Sequence, residues 1–107
     1  MPSEVEAQPV GYQDLTVGGT PVGLDSALIL QTRATGAFLS VEGNAIRFKV
    51  SGTPTATSGH LVDPPSGGQN QPPSWRIKGH AALLSLLIVA VSGTSTVRVS
   101  FFVGMNF

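Results

Sequence analysis

The stretch "LLIVAVSGTSTVRVSFFV", residues 86–103, decides the fold class. Its second half alternates Val97, Val99, Phe101 and Val103 with Thr96, Arg98, Ser100 and Phe102. That is the period of two of a strand with one face on a core. The first half ends in β-branched residues and breaks at Ser92-Gly93. Two apolar runs flanking a short Ser-Gly-Thr turn are a hairpin signal. Residues 84–91 and 95–103 are therefore expected as paired strands. The Ala/Leu-rich start of the run favours helix, and at most a helical turn is expected near 79–83.

The same grammar recurs upstream. "AIRFKV" at 45–50 sets Ile46, Phe48 and Val50 against Arg47 and Lys49. "AFLSV" at 37–41 precedes it, and "EGN" at 42–44 joins the two as a hairpin turn would. "YQDLTV" at 12–17 places Leu15 and Val17 on one face, and "SWRIK" at 74–78 places Trp75 and Ile77 inward. "ALILQT" at 27–32 is a further short apolar run. The sum is about seven or eight short strands at turn-marked intervals. The expected fold is all-β, a small antiparallel β-sandwich or jelly roll.

Residues 1–11 read as a flexible N-terminal arm, 12–103 as the β domain and 104–107 as a C-terminal tail. Residues 63–73, "DPPSGGQNQPP", read as a long exposed Pro/Gly-rich loop, because four prolines exclude a strand interior or a helix.

Composition narrows the function classes. The 107 residues contain no cysteine, so disulfides, thiolate metal sites and cysteine nucleophiles are excluded. The formal net charge is zero, without the basic excess of a nucleic-acid binder. Charged residues are only 11% of the chain, against about 25% in ordinary domains. Such a surface is poorly protected against association, so much of it is expected to be covered by partners. The longest apolar run, "AALLSLLIVAV" at 81–91, is too short for a membrane-spanning helix. The polar, acidic N-terminus does not read as a signal peptide.

Three stretches echo one another: "VGGTPV" at 17–22, "VSGTPT" at 50–55 and "VSGTST" at 91–96. None is followed by the lysine of a phosphate-binding loop. Their unequal spacing excludes a regular repeat. They read as strand-ending turns, with Gly supplying tight backbone geometry.

No chemistry-bearing constellation emerges. His60 and His80 stand without a ligand cluster. Ser58, His60 and Asp63 form a triad only on paper, with no G-x-S-x-G elbow. The six carboxylates Glu4, Glu6, Asp14, Asp25, Glu42 and Asp63 are scattered and form no acid/base pair. The expectation is a non-enzyme with no catalytic, metal or cofactor site.

The candidate contacts are of another kind. Arg47, Lys49, Arg76, Lys78 and Arg98 fall on the outward faces of expected strands. They would form a basic stripe for an acidic protein surface if those strands were neighbours in one sheet. Phe48, Trp75 and Phe101 fit the core. Phe102 falls on the face opposite Phe101, and an outward Phe suggests a contact. Phe107, in the tail "GMNF", is a second candidate for docking.

The order of features resembles small β-sandwich virion proteins of tailed bacteriophages. An extended "LTVGGTPVGL" opens the domain, "AIRFKVSGTPTATSGHLV" follows mid-chain, and "LLIVAVSGTSTVRVSFF" closes it. In many of those proteins an arginine-bearing strand runs into a Gly-x-x-Pro-Thr-x-x-x-Gly turn. The corresponding turn here runs from Gly52-Thr53-Pro54-Thr55 to Gly59-His60. The resemblance covers roughly residues 12–103. It implies a structural role in the virion: a capsid decoration or cement protein on the major capsid protein, often trimeric, assembled in the host cytoplasm. It brings no catalytic residue with it. The alternative is a carbohydrate- or receptor-binding module of a tail or fibre. Trp75 would be the stacking candidate there, although its alternation turns it inward.

Overall fold

The computed structural model describes residues 8–63 and 74–104. The elements, in chain order, are β1 (Gln8–Val17), β2 (Val22–Gly23), α1 (Ser26–Thr32), β3 (Gly36–Gly43), β4 (Ile46–Lys49), β5 (His60–Val62), β6 (Ser74–Lys78), α2 (His80–Ser85), β7 (Leu87–Ala90) and β8 (Ser95–Val103). The strands form two four-stranded antiparallel sheets, ordered β1-β8-β3-β6 and β2-β7-β4-β5. Every connection except β4–β5 crosses from one sheet to the other. That double wrap is the topology of a jelly roll. The expected all-β sandwich is the observed fold.

One core lies between the sheets. Leu39, Val41, Val97, Val99 and Phe101 of the first sheet meet Ile46, Ile88 and Ala90 of the second, all of them buried. Alternation puts them there: Val97, Val99 and Phe101 are buried, while Thr96, Arg98, Ser100 and Phe102 between them are half-buried on the outer face. Trp75 of β6 reaches across the sandwich to stack on Phe48 of β4, with ring centroids 5.2 Å apart and planes 15° apart.

Both expected hairpins are corrected. β7 pairs with β2 and β4, while β8 pairs with β1 and β3. Ser92–Thr94 is therefore a corner between sheets, not a hairpin turn. The same holds for Glu42–Asn44 between β3 and β4. A Gly-bearing turn fixes a reversal of direction but not its plane. Two strands facing each other across a sandwich bury the same alternate residues as two strands side by side.

Three of these corners are clamped together at one end. Ala90 N–H donates to Gly18 O at 2.8 Å, and Val91 N–H to Ala45 O at 2.9 Å. The Ser95 hydroxyl donates to Asn44 O at 2.6 Å, and Asn44 Nδ2 donates to Thr94 O at 3.0 Å. Ser95 is the one buried polar residue among the described residues, and its corner bond accounts for its burial.

The other end carries the helices. "SALILQT" is a helix rather than a strand-like run. Asp25 caps it by accepting from Leu28 N–H at 3.2 Å. Arg33 closes it in the left-handed conformation, φ 58°. α2 is longer than the single turn expected, and it buries Leu83. The two helices touch, and the segment before β3 binds this end together. Thr35 O accepts from Gly79 N–H at 2.7 Å, and His80 Nδ1 lies 2.9 Å from Ala34 O.

Three boundaries shift. β1 begins at Gln8, so residues 8–11 belong to the first sheet and not to an arm. β4 ends at Lys49, leaving Val50 exposed rather than inward. The very short β2 and β5 lie in stretches without a period-two alternation. The segments 1–7, 64–73 and 105–107, including Phe107 and nearly all of the Pro/Gly-rich loop, lie outside the described residues.

Candidate interaction surfaces

The outer face of the first sheet carries an aromatic platform. Register places Tyr12 (β1), Ser100 (β8), Phe38 (β3) and Arg76 (β6) in one row across the strands. Strands are spaced about 4.8 Å apart, so Tyr12 and Phe38 stand roughly 10 Å apart with only a serine between them. Tyr12 is 54% exposed and Phe38 38%. Phe102 lies in the next row, between Pro9 and Gly36 in register, half-buried on the same outer face. The expectation of an outward Phe102 matches its position. Tyr12 and Phe38 were not singled out from sequence as contacts. Their signal was present in the alternation, since each precedes or follows an inward residue by one.

Beside the platform is a charged network. Arg98 NH1 lies 3.0 Å from Asp14 Oδ1, and Arg98 Nε lies 3.2 Å from Glu42 Oε2. The Tyr12 hydroxyl donates to Asp14 Oδ1 at 2.6 Å. The Tyr12 hydroxyl first, then Glu42 and Asp14, hold the Arg98 guanidinium above its ordinary range. Arg98 is thus a bridge between β1 and β3. Its partners sit in the neighbouring strands, as cross-strand pairing dictates.

The basic stripe does not form. Arg76 and Lys78 lie on β6 of the first sheet, whereas Arg47 and Lys49 lie on β4 of the second. Arg98 is separated from β6 by β3. Arg47 also has an internal task. Its Nε donates to Ala56 O at 3.0 Å and its NH1 to Gly59 O at 2.9 Å. It thereby holds the β4–β5 loop against the outer face of the second sheet. Gly59 permits the close fit: at φ 130° a Cβ there would lie 3.1 Å from Phe48 O and 3.3 Å from Pro54 Cβ. Pro54, within this loop, is fully buried.

That folded-back loop makes one wall of a groove. The groove has a volume of about 370 Å³ and is walled by Gly19 and Pro21 on one side and Thr53–Ala56 on the other. Val89–Gly93 form its floor. All three Val-x-Gly-Thr echoes therefore converge on one depression. Each is a strand-ending turn, as its sequence reads, and together they enclose a space. Among the described residues, no ionisable side chain lines it.

Trp75 is not on a surface platform: it is half-buried and stacked on Phe48. Its buried indole N–H has no acceptor among the described residues. Neither histidine joins a cluster, and no group of three or more His, Asp or Glu able to hold a metal occurs among the described residues. His60 packs its ring on Phe48 at 5.2 Å. No helix of the described residues is long and apolar enough to cross a membrane. A scan of protein-family models, a search of curated proteins and a search of solved structures each return no match to this chain.

Proposed function

We propose that this chain is a virion structural protein, a decoration or cement protein that clamps neighbouring subunits of a phage capsid and associates with copies of itself, as a trimer in the favoured form. The observation that carries the reading is the outer face of the first sheet. A four-stranded surface carries Tyr12 and Phe38 exposed and Phe102 half-buried, with Arg76 and Lys78 along its edge strand. A surface of exposed rings rimmed by charge suits burial against another protein. Jelly rolls serve viral capsid proteins widely, which is support by fold analogy. The sequence resemblance to small phage virion proteins points the same way.

Cement works by many modest contacts repeated over a symmetric shell, where avidity replaces a single tight site. The test is to mix the protein with assembled shells and with free capsid subunits, and to follow shell melting. Binding to shells alone, with a raised melting temperature, is the expected result. Equal binding to free subunits, or no protection of the shell, would remove the reading.

One observation favours a second reading, a glycan-binding module. Two exposed rings in one row of a sheet, roughly two strand spacings apart, form a platform on which sugar rings stack. The relevant pair is Tyr12 and Phe38, not the buried-side Trp75. A glycan titration that perturbs Tyr12 and Phe38, in a protein that ignores shells, would select it.

A further inference from the structure

The groove built by the three echoes lies at the end of the sandwich where β1 finishes, beside Val17 and Gly18. Its lining of Gly, Pro, Thr, Ala, Val and Ser offers small apolar surfaces and hydroxyls but no charge. An ionic side chain buried there would lack a partner; a small aliphatic one would not need one. The strands of the second sheet contain Arg47 and Lys49 and no Asp or Glu. Lys49 flanks the loop that forms the groove wall: its Cδ lies 3.9 Å from where a Cβ on Gly52 would be, next to Thr53.

One segment of this chain matches both features. Residues 1–7, "MPSEVEA", alternate Val5 and Ala7 with Glu4 and Glu6. In an extended conformation the small apolar side chains face one way and the carboxylates the other. These seven residues join β1 at Gln8, the end opposite the groove. β1 has ten residues and spans about 33 Å. Seven residues reach at most about 25 Å. They therefore cannot fill the groove of their own molecule, but they can fill that of another copy.

We propose that residues 1–7 dock on a neighbouring copy of this chain, with Val5 in the groove built by the three echoes and Glu4 and Glu6 toward Lys49 beside its wall. This deepens the assembly reading and rests on it, because it names the contact through which copies join. The echoes then have a shared role that none has alone: two corners and the β4–β5 loop make one socket.

The experiment measures self-association of the full chain by sedimentation across protein concentration and salt. Deleting residues 2–7 is expected to leave only monomer where the full chain associates. Ala56→Tyr fills the groove from an exposed position, and it is expected to weaken association about tenfold or more, the worth of burying one aliphatic side chain. Lys49→Glu is expected to weaken association about two- to fivefold, the range for exposed ion pairs. Combining it with Glu4→Lys and Glu6→Lys is expected to restore association. That rescue answers for any variant that merely misfolds, since a misfolded chain is not repaired by changing residues outside the sandwich. A full chain that stays monomeric at millimolar concentration overturns the proposal. So does a deletion variant that associates like the full chain, or a charge swap without rescue. If the deletion leaves self-association intact and abolishes shell binding, the segment serves the shell and the proposal falls while the cement reading stands. If association behaves as expected but shells are ignored, the cement reading falls and this contact stands.

Discussion

Gly93→Ala, made with and without Asn44→Ala, tests whether the sheet-crossing corners hold the jelly roll together. Gly93 sits at φ 61°, and a Cβ there would lie 2.6 Å from Asn44 Nδ2. The substitution therefore does two things. It forces a side chain into the left-handed region, at about 1–2 kcal/mol. It also pushes the Asn44 amide off its 3.0 Å bond to Thr94 O, and a neutral hydrogen bond contributes about 0.5–1.5 kcal/mol. The total is about 1.5–3.5 kcal/mol. In the Asn44→Ala background the amide is already gone and only the backbone cost remains. The cycle should thus show a coupling of about 1 kcal/mol, well above the roughly 0.3–0.5 kcal/mol within which independent sites add. Urea unfolding followed by Trp75 emission reads it, since Trp75 is the single Trp and stacks on Phe48 across the sandwich. With a slope of about 1–3 kcal/mol/M for a chain of this size, Gly93→Ala alone should move the midpoint by about 1 M. Equal costs in both backgrounds would refute the packing of the 91–95 corner on the 43–45 corner.

Other outcomes follow from named contacts. Phe101→Ala removes a fully buried ring from the centre of the core and should cost about 3–5 kcal/mol, leaving little or no folded protein by calorimetry. Trp75→Phe deletes an indole N–H with no acceptor among the described residues while keeping a ring on Phe48; far-UV circular dichroism should place its stability within about 1 kcal/mol of the parent, because the lost area and the relieved donor offset. Arg47→Met removes two charge-assisted bonds to the β4–β5 loop and should speed hydrogen exchange in residues 53–59 while β8 stays protected; uniform acceleration across both sheets would contradict a local role. Tyr12→Phe with Phe38→Ser, and Tyr12→Ser with Phe38→Ser, remove one or both exposed rings, and both lose the exposed Tyr12 bond to Asp14; the melting temperature should stay within a few degrees in each, while contact with whatever covers the first sheet is abolished only in the double-Ser variant, read by shell binding and by glycan titration in parallel.

Much of the architecture was legible, and the part that was not has one cause. The strands at 46–49, 74–78 and 95–103 follow from alternation, which is local: Val97, Val99 and Phe101 sit on one face whatever lies beside them. Partner choice is not local. Val97 pairs with Leu15 and Val41, far away in the chain, and nothing in "SGTS" says that the preceding strand joins the other sheet. Hairpin and sheet-crossing corner use the same turn residues. The helix at 26–32 was hidden for a different reason. Its seven residues are too few to develop a helical period, and the informative residue was Asp25 before it, a capping side chain read as one more scattered carboxylate. The candidate surfaces divide along the same line. The outward direction of Phe102 was readable from its strand. The failure of the basic stripe was not, because it depends on which sheet receives β4 and which receives β6.

The echoes show how this matters for function. As local signals they are turns, and each is one. Their convergence is a property of the wrap: β1–β2 and β7–β8 cross between the sheets at the same end, and the β4–β5 loop folds back toward them, pinned by Arg47 and by the absence of a side chain at Gly59. A hairpin at 84–103 would put β7 beside β8 in one sheet and take Val89–Gly93 away from Gly19 and Thr53. The groove therefore exists only because the sequence's strongest hairpin signal is not a hairpin. A site made in this way carries no motif spacing, since its parts are brought together by strand order alone, and its chemistry is that of its corners: small, neutral and shaped. Among the described residues that lining is Gly, Pro, Thr, Ala, Val and Ser, contributed by three separate connections of the wrap.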